Sequence, residues 1–454
     1  MNVLLCPLSD AGYLYPALAV GRELRRRGHA VFPLVRPGAA GVVGEAGFAA
    51  LDAHEYGGVR AFSAAWWGET GAVQYRAAAR AAREVRADAL VTSILCHGAL
   101  LAADALDLPV VVLGFAAHLW PYGRGGEGER HGRAVLRELR LLEMLRLYGV
   151  AREQAGLPPR RDRRRDLPLI GSGLLLRGDP ALEYPGAELP EGVRHVGPCA
   201  WEPPADPAAL HRLAGRVRRI GKPVVYVHLG RVFGGESMWP RLNATFTGGP
   251  FQAVVERGRS GEPRPAPGAD VVVMREPWMG PLIELSDLVL TNGTSSPVLA
   301  ALMRGKPLAV APIGSEQPLL SEACVRAGVA VGFPPGPGPA GEGVAALGTA
   351  YAGGLGERVR ELGARLNTSG GAAAAADAVV AAASSARAAA HDGRPVEAVT
   401  ATVPDGPLRT DIGAAPSGAA LAGAASPAHV TVPGDAWTSA SAAPADIGAD
   451  RGGS

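Results

Sequence analysis

Five consecutive small or polar residues, Asn292-Gly293-Thr294-Ser295-Ser296, follow the apolar run Asp287–Thr291 and precede Leu299, Leu302 and Met303, which share one helical face. N–H groups at the start of such a helix meet no intrahelical carbonyl, and small residues let an anion come close to them. Taken alone, the turn reads more readily as an ordinary helix capped by Thr294 or Ser295. It has a neighbour, however. Gly305-Lys306-Pro307 leads into a second apolar strand, Leu308–Pro312, which empties into Glu316-Gln317 ahead of another helix. A carboxylate beside an amide both accepts from and donates to sugar-like hydroxyls. An anion cradle next to a polyol clamp at adjacent strand ends suits a nucleoside diphosphate joined to a polyol.

At these residues the chain resembles the donor-binding region of the GT-B, family-1 nucleotide-sugar glycosyltransferases, a group that includes bacterial macrolide and other natural-product enzymes. The shared features are a strand, a small-residue turn, a helix, a Gly-x-Pro strand start and a Glu-Gln pair. The resemblance is specific over residues 287–328 and extends over about residues 1–390. It implies transfer of a sugar, expected to be a deoxysugar, from a dTDP or UDP donor to a hydroxyl of a small natural product, with inversion. It implies no metal and no other cofactor, and the chain carries no Asp-x-Asp signature. In this reading Gly293, Thr294, Ser295 and Ser296 hold the diphosphate, and Glu316 and Gln317 hold the sugar. Asn292 stands where the family usually has a His, and offers an amide donor without charge. Arg231 follows Gly230 where the family has Ser or Thr facing the phosphates, so it is either the compensating cation or a surface arginine. Trp278 is a candidate to stack on the nucleobase, with core packing as the alternative, because an ungapped match puts Glu276 at the aromatic position.

The acceptor side departs further from the family. The first turn reads Ser9-Asp10-Ala11-Gly12-Tyr13-Leu14-Tyr15-Pro16, so Tyr13 occupies the position of the usual catalytic base. A tyrosine titrating near ~10 is a poor base at neutral pH. Ser93 stands where the family often has the Asp that orients that base. Asp10, in the same turn, and His97 and His118, which follow later strands, are the replacement candidates, and they remain open at this level. Two other readings use the same cleft: a catalytically silent homologue that binds a ligand or assists a partner, and a nucleotide-sugar epimerase.

The elements that must position these residues alternate along the chain. Apolar runs at Asn2–Pro7, His29–Val35, Ala89–Ser93 and Val110–Gly114 are interleaved with amphipathic helices at Pro16–Arg27, Gly98–Ala105 and Arg133–Leu147, which predicts βαβ units around a parallel sheet. Leu169–Leu175 reads as a further strand. A second series begins at Pro223–Gly230 and ends in helices near Leu355–Leu366 and Gly371–Ala390. The fold class is therefore α/β, expected as GT-B: two Rossmann-like domains, 1–198 for the acceptor and 223–391 for the nucleotide-sugar, facing across a cleft. Residues 199–222 form the expected linker, and the Ala/Pro/Gly/Ser/Thr-rich residues 392–454 a disordered tail.

Composition narrows the partners. With 454 residues and 47% hydrophobic content there is material for two cores, and 45 Lys+Arg against 43 Asp+Glu makes nucleic acid a poor partner. The partners expected are a nucleotide-sugar and a small hydroxylated acceptor, with a homodimer or an auxiliary protein compatible with both. Cys6, Cys96, Cys199 and Cys324 form no Cys-x-x-Cys pair, which argues for buried thiols. The start lacks a basic n-region and no apolar run is long enough to span a bilayer, so a cytoplasmic location is expected. The run 157–166 reads as a solvated charged loop, and Trp66-Trp67 as a cover for an apolar acceptor or as packing.

Overall fold

The computed structural model describes residues 1–53, 64–126, 128–160, 167–228, 230, 235–256, 264–276, 278–314 and 316–391. Arg231, residues 161–166 of the charged run 157–166, the Trp66-Trp67 side chains and the expected tail 392–454 lie outside the described residues. The first series runs β1 (Asn2–Cys6), α1 (Ala11–Arg26), β2 (Ala30–Val35), α2 (Ala40–Glu45), β3 (Leu51–Asp52), α3 (Ala64–Glu84), β4 (Ala89–Ser93), α4 (His97–Ala105), β5 (Val110–Leu113), α5 (His131–Gln154), α6 (Leu167–Ile170), β6 (Gly173–Leu176) and β7 (Val193–His195). The second runs α7 (Pro207–Ile220), β8 (Val224–His228), α8 (Trp239–Phe246), β9 (Gln252–Glu256), β10 (Val271–Met274), α9 (Met279–Glu284), β11 (Leu288–Thr291), α10 (Ser295–Met303), β12 (Leu308–Val310), α11 (Gln317–Arg326), β13 (Ala330–Gly332), α12 (Ala340–Ala352), α13 (Gly356–Thr368) and α14 (Ala372–His391).

Among the described residues the strands make two parallel sheets, of order β3-β2-β1-β4-β5-β6-β7 and β10-β9-β8-β11-β12-β13. Each starts at a central strand, builds outward on one side and then reverses to the other, which is the doubly wound Rossmann arrangement. Register follows from burial on both faces: Leu4 of β1 lies opposite Phe32 of β2 and Leu90 of β4, and Val289 of β11 opposite Tyr226 and Leu308. The chain thus has the expected GT-B architecture, two Rossmann-like domains across a cleft.

Two local readings are corrected, and a third gains detail. Pro16 does not open the first helix; α1 begins at Ala11 and Pro16 lies inside it. Leu169–Leu175 is not one strand: α6 ends at Ile170, and Gly171, at φ +61°, turns the chain into β6. Half of the expected linker is helix α7, whose ends carry strong local signals. The Asp206 side chain accepts from the Ala208 N–H at 2.9 Å, Pro207 fills the first turn, and Gly221 closes the helix at φ +73°. Leu213 and Val217 then pack in the second core.

The final helix crosses back to the first domain. Ala375, Ala376 and Val379 of α14 pack against Val3, Leu5, Val20 and Val111, and Gly371 N–H donates to Val196 O at 2.8 Å where the chain crosses in the other direction. Burying a valine-sized side chain contributes about 1.5–3 kcal/mol. Val379→Asp, which puts an unpartnered carboxylate at a fully buried position, is expected to cost on the order of 3 kcal/mol or more. The check is hydrogen exchange, with loss of protection expected in α14 before the second domain.

Candidate active site in the interdomain cleft

In doubly wound sheets ligands collect where the strand order reverses, here between β1 and β4 and between β8 and β11. A cavity of about 410 Å³ lies between these two points, lined from the first domain by Asp10–Tyr13, Phe115 and Arg177, and from the second by His228, Asn292, Thr294–Ser296, Glu316 and Gln317. Residues Pro198–Glu202, where the chain passes between domains, form one wall. The N-termini of α1, α10 and α11 all open onto this space, so three positive dipole ends converge; the open N–H groups come from α1 and α10, because in α11 the Gln317 N–H donates to Gly314 O at 3.2 Å and Pro318 has none.

The α10 turn is held open by its own side chains. Asn292 accepts from the Thr294 N–H at 3.3 Å and the Thr294 hydroxyl at 3.1 Å, while its amide nitrogen packs against Gly230. Gly293 is buried beneath the turn at φ +83°, and an added Cβ there would lie 2.1 Å from Ser321 Oγ. Thr294 occupies the cap position without a side-chain cap bond. The first turn therefore presents the Ser295 and Ser296 N–H groups, and Pro297 has none to lose. Ser295 Oγ accepts from the Ala116 N–H across the cleft at 3.0 Å, so this hydroxyl joins the domains.

Asp10 and Glu316 sit at the cap positions of α1 and α11, yet neither side chain caps its own helix. Both carboxylates line the cavity, and Arg36 Nη2 lies 3.9 Å from Asp10 Oδ2. Gln317 is fully buried; its Oε1 accepts from the Ile313 and Gly314 N–H groups at 2.9 and 3.1 Å, which leaves its Nε2 as the group for a ligand. Gly12 faces Ser296 across the gap, with an added Cβ only 3.6 Å from Ser296 Oγ.

Tyr13 lines the cavity edge-on to Phe115, with ring centroids 5.9 Å apart. Burial, then the nearby Glu316 and Asp10 carboxylates, raise its pKa well above the usual phenol value, so it stays protonated and cannot take a proton at neutral pH. Ser93 is occupied structurally, accepting from the Leu8 N–H at 3.0 Å. His97 and His118 are not among the cavity-lining residues. His97 is buried against Tyr148, and burial lowers its pKa to about 4. His118 is held by Pro121 O, 3.3 Å from its Nε2, and burial likewise brings it to about 4. Trp278 packs on the second core, while Met279, next in sequence, lines the cavity.

Among the cavity residues outside the motifs are four charged or titratable ones, His228, Glu202, Arg177 and Arg304. His228 ends β8 with its Nε2 3.9 Å from Glu256 Oε1. Glu202 accepts from the Gly280 N–H at 3.0 Å, and burial raises its pKa. Arg177 follows β6, 5% exposed, with its Nε donating to Gly114 O at 2.7 Å. The available signal was a charged residue at the very end of an apolar strand, His228 before Gly230 and Arg177 after Leu174–Leu176. Among the described residues no group of three or more His, Cys, Asp or Glu side chains converges as a metal site, and no helix is long and apolar enough to cross a membrane. All four cysteines are buried.

No protein-family model matches the chain. A 4'-demethylrebeccamycin synthase of Lentzea aerocolonigenes is 28% identical over 364 residues, 70% of this chain and 83% of the relative. Among solved structures, the glycosyltransferase of kitacinnamycin aligns with TM-score 0.65 and 20% identity, covering 84% of this chain and 98% of that one. The glycosyltransferase VinC, solved in complex with dTDP, aligns with TM-score 0.57 and 16% identity over 85% of this chain and 100% of that one. The chain is thus similar in fold to GT-B glycosyltransferases of natural products and in sequence to a 4'-demethylrebeccamycin synthase.

Two predictions follow from this geometry. Gly293→Ala is expected to cost about 1–2 kcal/mol from the left-handed backbone alone, more with the Ser321 contact, as read by urea unfolding. His97, lowered from 6.5 to about 4 by burial, contributes stability that is fully present above pH 6.5 and lost as the pH falls towards 4. His97→Leu is expected to flatten the unfolding-midpoint profile across that window; an unchanged slope would contradict a buried neutral imidazole.

Proposed function

We propose that this GT-B protein is an active glycosyltransferase that moves a sugar from a dTDP- or UDP-sugar to a hydroxyl of a small natural product, with inversion at the anomeric carbon. A deoxysugar is the expected cargo. The single observation carrying the reading is the convergence of the α1, α10 and α11 N-termini on one cavity, with carboxylates from opposite domains, Asp10 and Glu316, in its wall. A diphosphate needs the donors, and a sugar beside it needs Glu316 and the free Nε2 of Gln317.

In the proposed reaction the acceptor oxygen attacks the anomeric carbon from the face opposite the diphosphate. As the new C–O bond forms, the bond to the diphosphate breaks and its electron pair leaves with the phosphate oxygen. N–H groups of Ser295 and Ser296, the Thr294 hydroxyl and the α10 dipole stabilise that growing charge. The acceptor proton passes to Asp10, a cavity carboxylate at the acceptor-side helix start. Tyr13, held protonated, serves as a wall and a donor. Asn292 maintains the turn.

A silent, ligand-binding role has one specific observation behind it: the position of the usual base is a phenol with raised pKa, and its partner position is a serine bonded to Leu8. Calorimetric titration with UDP and dTDP, followed by turnover with a donor and acceptor panel, separates the readings. Asp10→Asn is expected to lower kcat about 10²–10⁴-fold with nucleotide affinity retained. Thr294→Ala/Ser296→Ala is expected to weaken nucleotide binding roughly tenfold or more. Nucleotide binding without transfer to any acceptor supports the silent role; absence of nucleotide binding overturns both.

A further inference from the structure

Arg177 is a buried charge in the cleft wall that the proposed reaction does not use. Its side chain is 5% exposed and lines the cleft cavity, and its Nε donates to Gly114 O at 2.7 Å. Among the described residues its two terminal nitrogens have no hydrogen-bond or ion-pair partner. Glu316 and Tyr13 lie near enough to act on it through space. A buried guanidinium left with open donors is costly unless an anion completes it.

Its location says which end of the cleft that anion occupies. Gly178, next in sequence, is pressed on the 114–116 loop so closely that a Cβ would lie 1.9 Å from Ala116 O. Ala116 in turn donates its N–H to Ser295 Oγ at the start of α10. The loop carrying Arg177 is therefore locked to the segment that touches the α10 N-terminus, and Arg177 lines the same cavity as that helix start from the opposite domain. A planar fork with free Nη1 and Nη2 suits two oxygens of one oxyanion.

We propose that Arg177 is the first domain's cation in this cleft, binding an oxyanion of the substrate through its terminal nitrogens. It supplies from the first domain the positive charge that Asn292 does not bring to the second. The source expected from its position is the donor diphosphate; a carboxylate on the transferred sugar offers the same chemistry. The inference rests on the proposed nucleotide-sugar cleft, but the anion site can be tested without a nucleotide.

The experiment is titration calorimetry of the full chain and of Arg177→Gln and Arg177→Lys, using dTDP, UDP, thymidine, UDP-glucose, UDP-glucuronate and inorganic pyrophosphate. If the diphosphate is the anion, Arg177→Gln weakens dTDP or UDP roughly 10- to 100-fold, Arg177→Lys weakens it less, and any thymidine binding is unchanged. If a sugar carboxylate is the anion, UDP binds all three proteins alike, while UDP-glucuronate loses its advantage over UDP-glucose in Arg177→Gln. Equal binding of every ligand by all three proteins overturns the inference and leaves the nucleotide site standing. Pyrophosphate bound only with Arg177 present, in a protein that ignores nucleotides, upholds the anion site and overturns the proposed function; no binding of any probe overturns both. Melting of the ligand-free proteins separates a structural role. An arginine needed for the fold lowers the midpoint on replacement by Gln, whereas removal of an uncompensated charge leaves it unchanged or higher.

Discussion

A parallel strand that feeds directly into a helix leaves unpaired N–H groups at the carboxyl edge of its sheet, and these must be met by water, side chains or a ligand. In this protein two sheets turn those edges toward each other. The starts of α1, α10 and α11 then face one cavity, and the positive ends of their dipoles add rather than cancel. The small residues of the α10 turn, the left-handed Gly293 and the carboxylates at the starts of α1 and α11 are all answers to that one concentration of donors.

Holding two such edges in register requires the domains to be tied, and side chains from both domains supply the ties. Arg133 and the Tyr184 hydroxyl both meet Glu322, at 2.8 and 3.0 Å, and Arg326 lies 3.9 Å over the Tyr184 ring while donating to Leu182 O. Arg365 reaches Asp179 at 3.2 Å. Partly exposed pairs of this kind each contribute little, so the apolar docking of α14 on the first sheet carries more of the connection. The polar ties fix orientation, and the Ser295–Ala116 bond carries that orientation to the helix start itself.

The cleft is electrostatically divided. Carboxylates at Asp10, Glu202 and Glu316 share it with His228, Arg177 and Arg304. The buried histidines of the first domain contribute no charge near neutral pH, because burial lowers both to about 4. In the proposed reaction proton acceptance on the acceptor side therefore falls to a carboxylate rather than an imidazole, and burial, then the Glu316 and Asp10 carboxylates, push the phenol of Tyr13 further toward its neutral form.

Alternating apolar runs and turn formers were enough to read two parallel sheets and to single out Asn292–Ser296 and Glu316-Gln317, because strand burial and helix starts are local properties written in consecutive residues. Local signals also marked α7, through Asp206, Pro207 and Gly221, although its interdomain position invited reading it as linker. Other facts depended on contacts between residues far apart in the chain. Nothing near His97 in sequence tells that Tyr148 and the helices around it shut the imidazole away from the cleft. Likewise, the charge of Arg177 is visible in the chain, but its burial and its place in the same cavity as a helix start more than a hundred residues later follow only from packing 176–179 on 114–116 and 114–116 on Ser295. Which groups line a cavity is set by the docking of whole domains, a sum of long-range contacts that no run of neighbouring residues encodes.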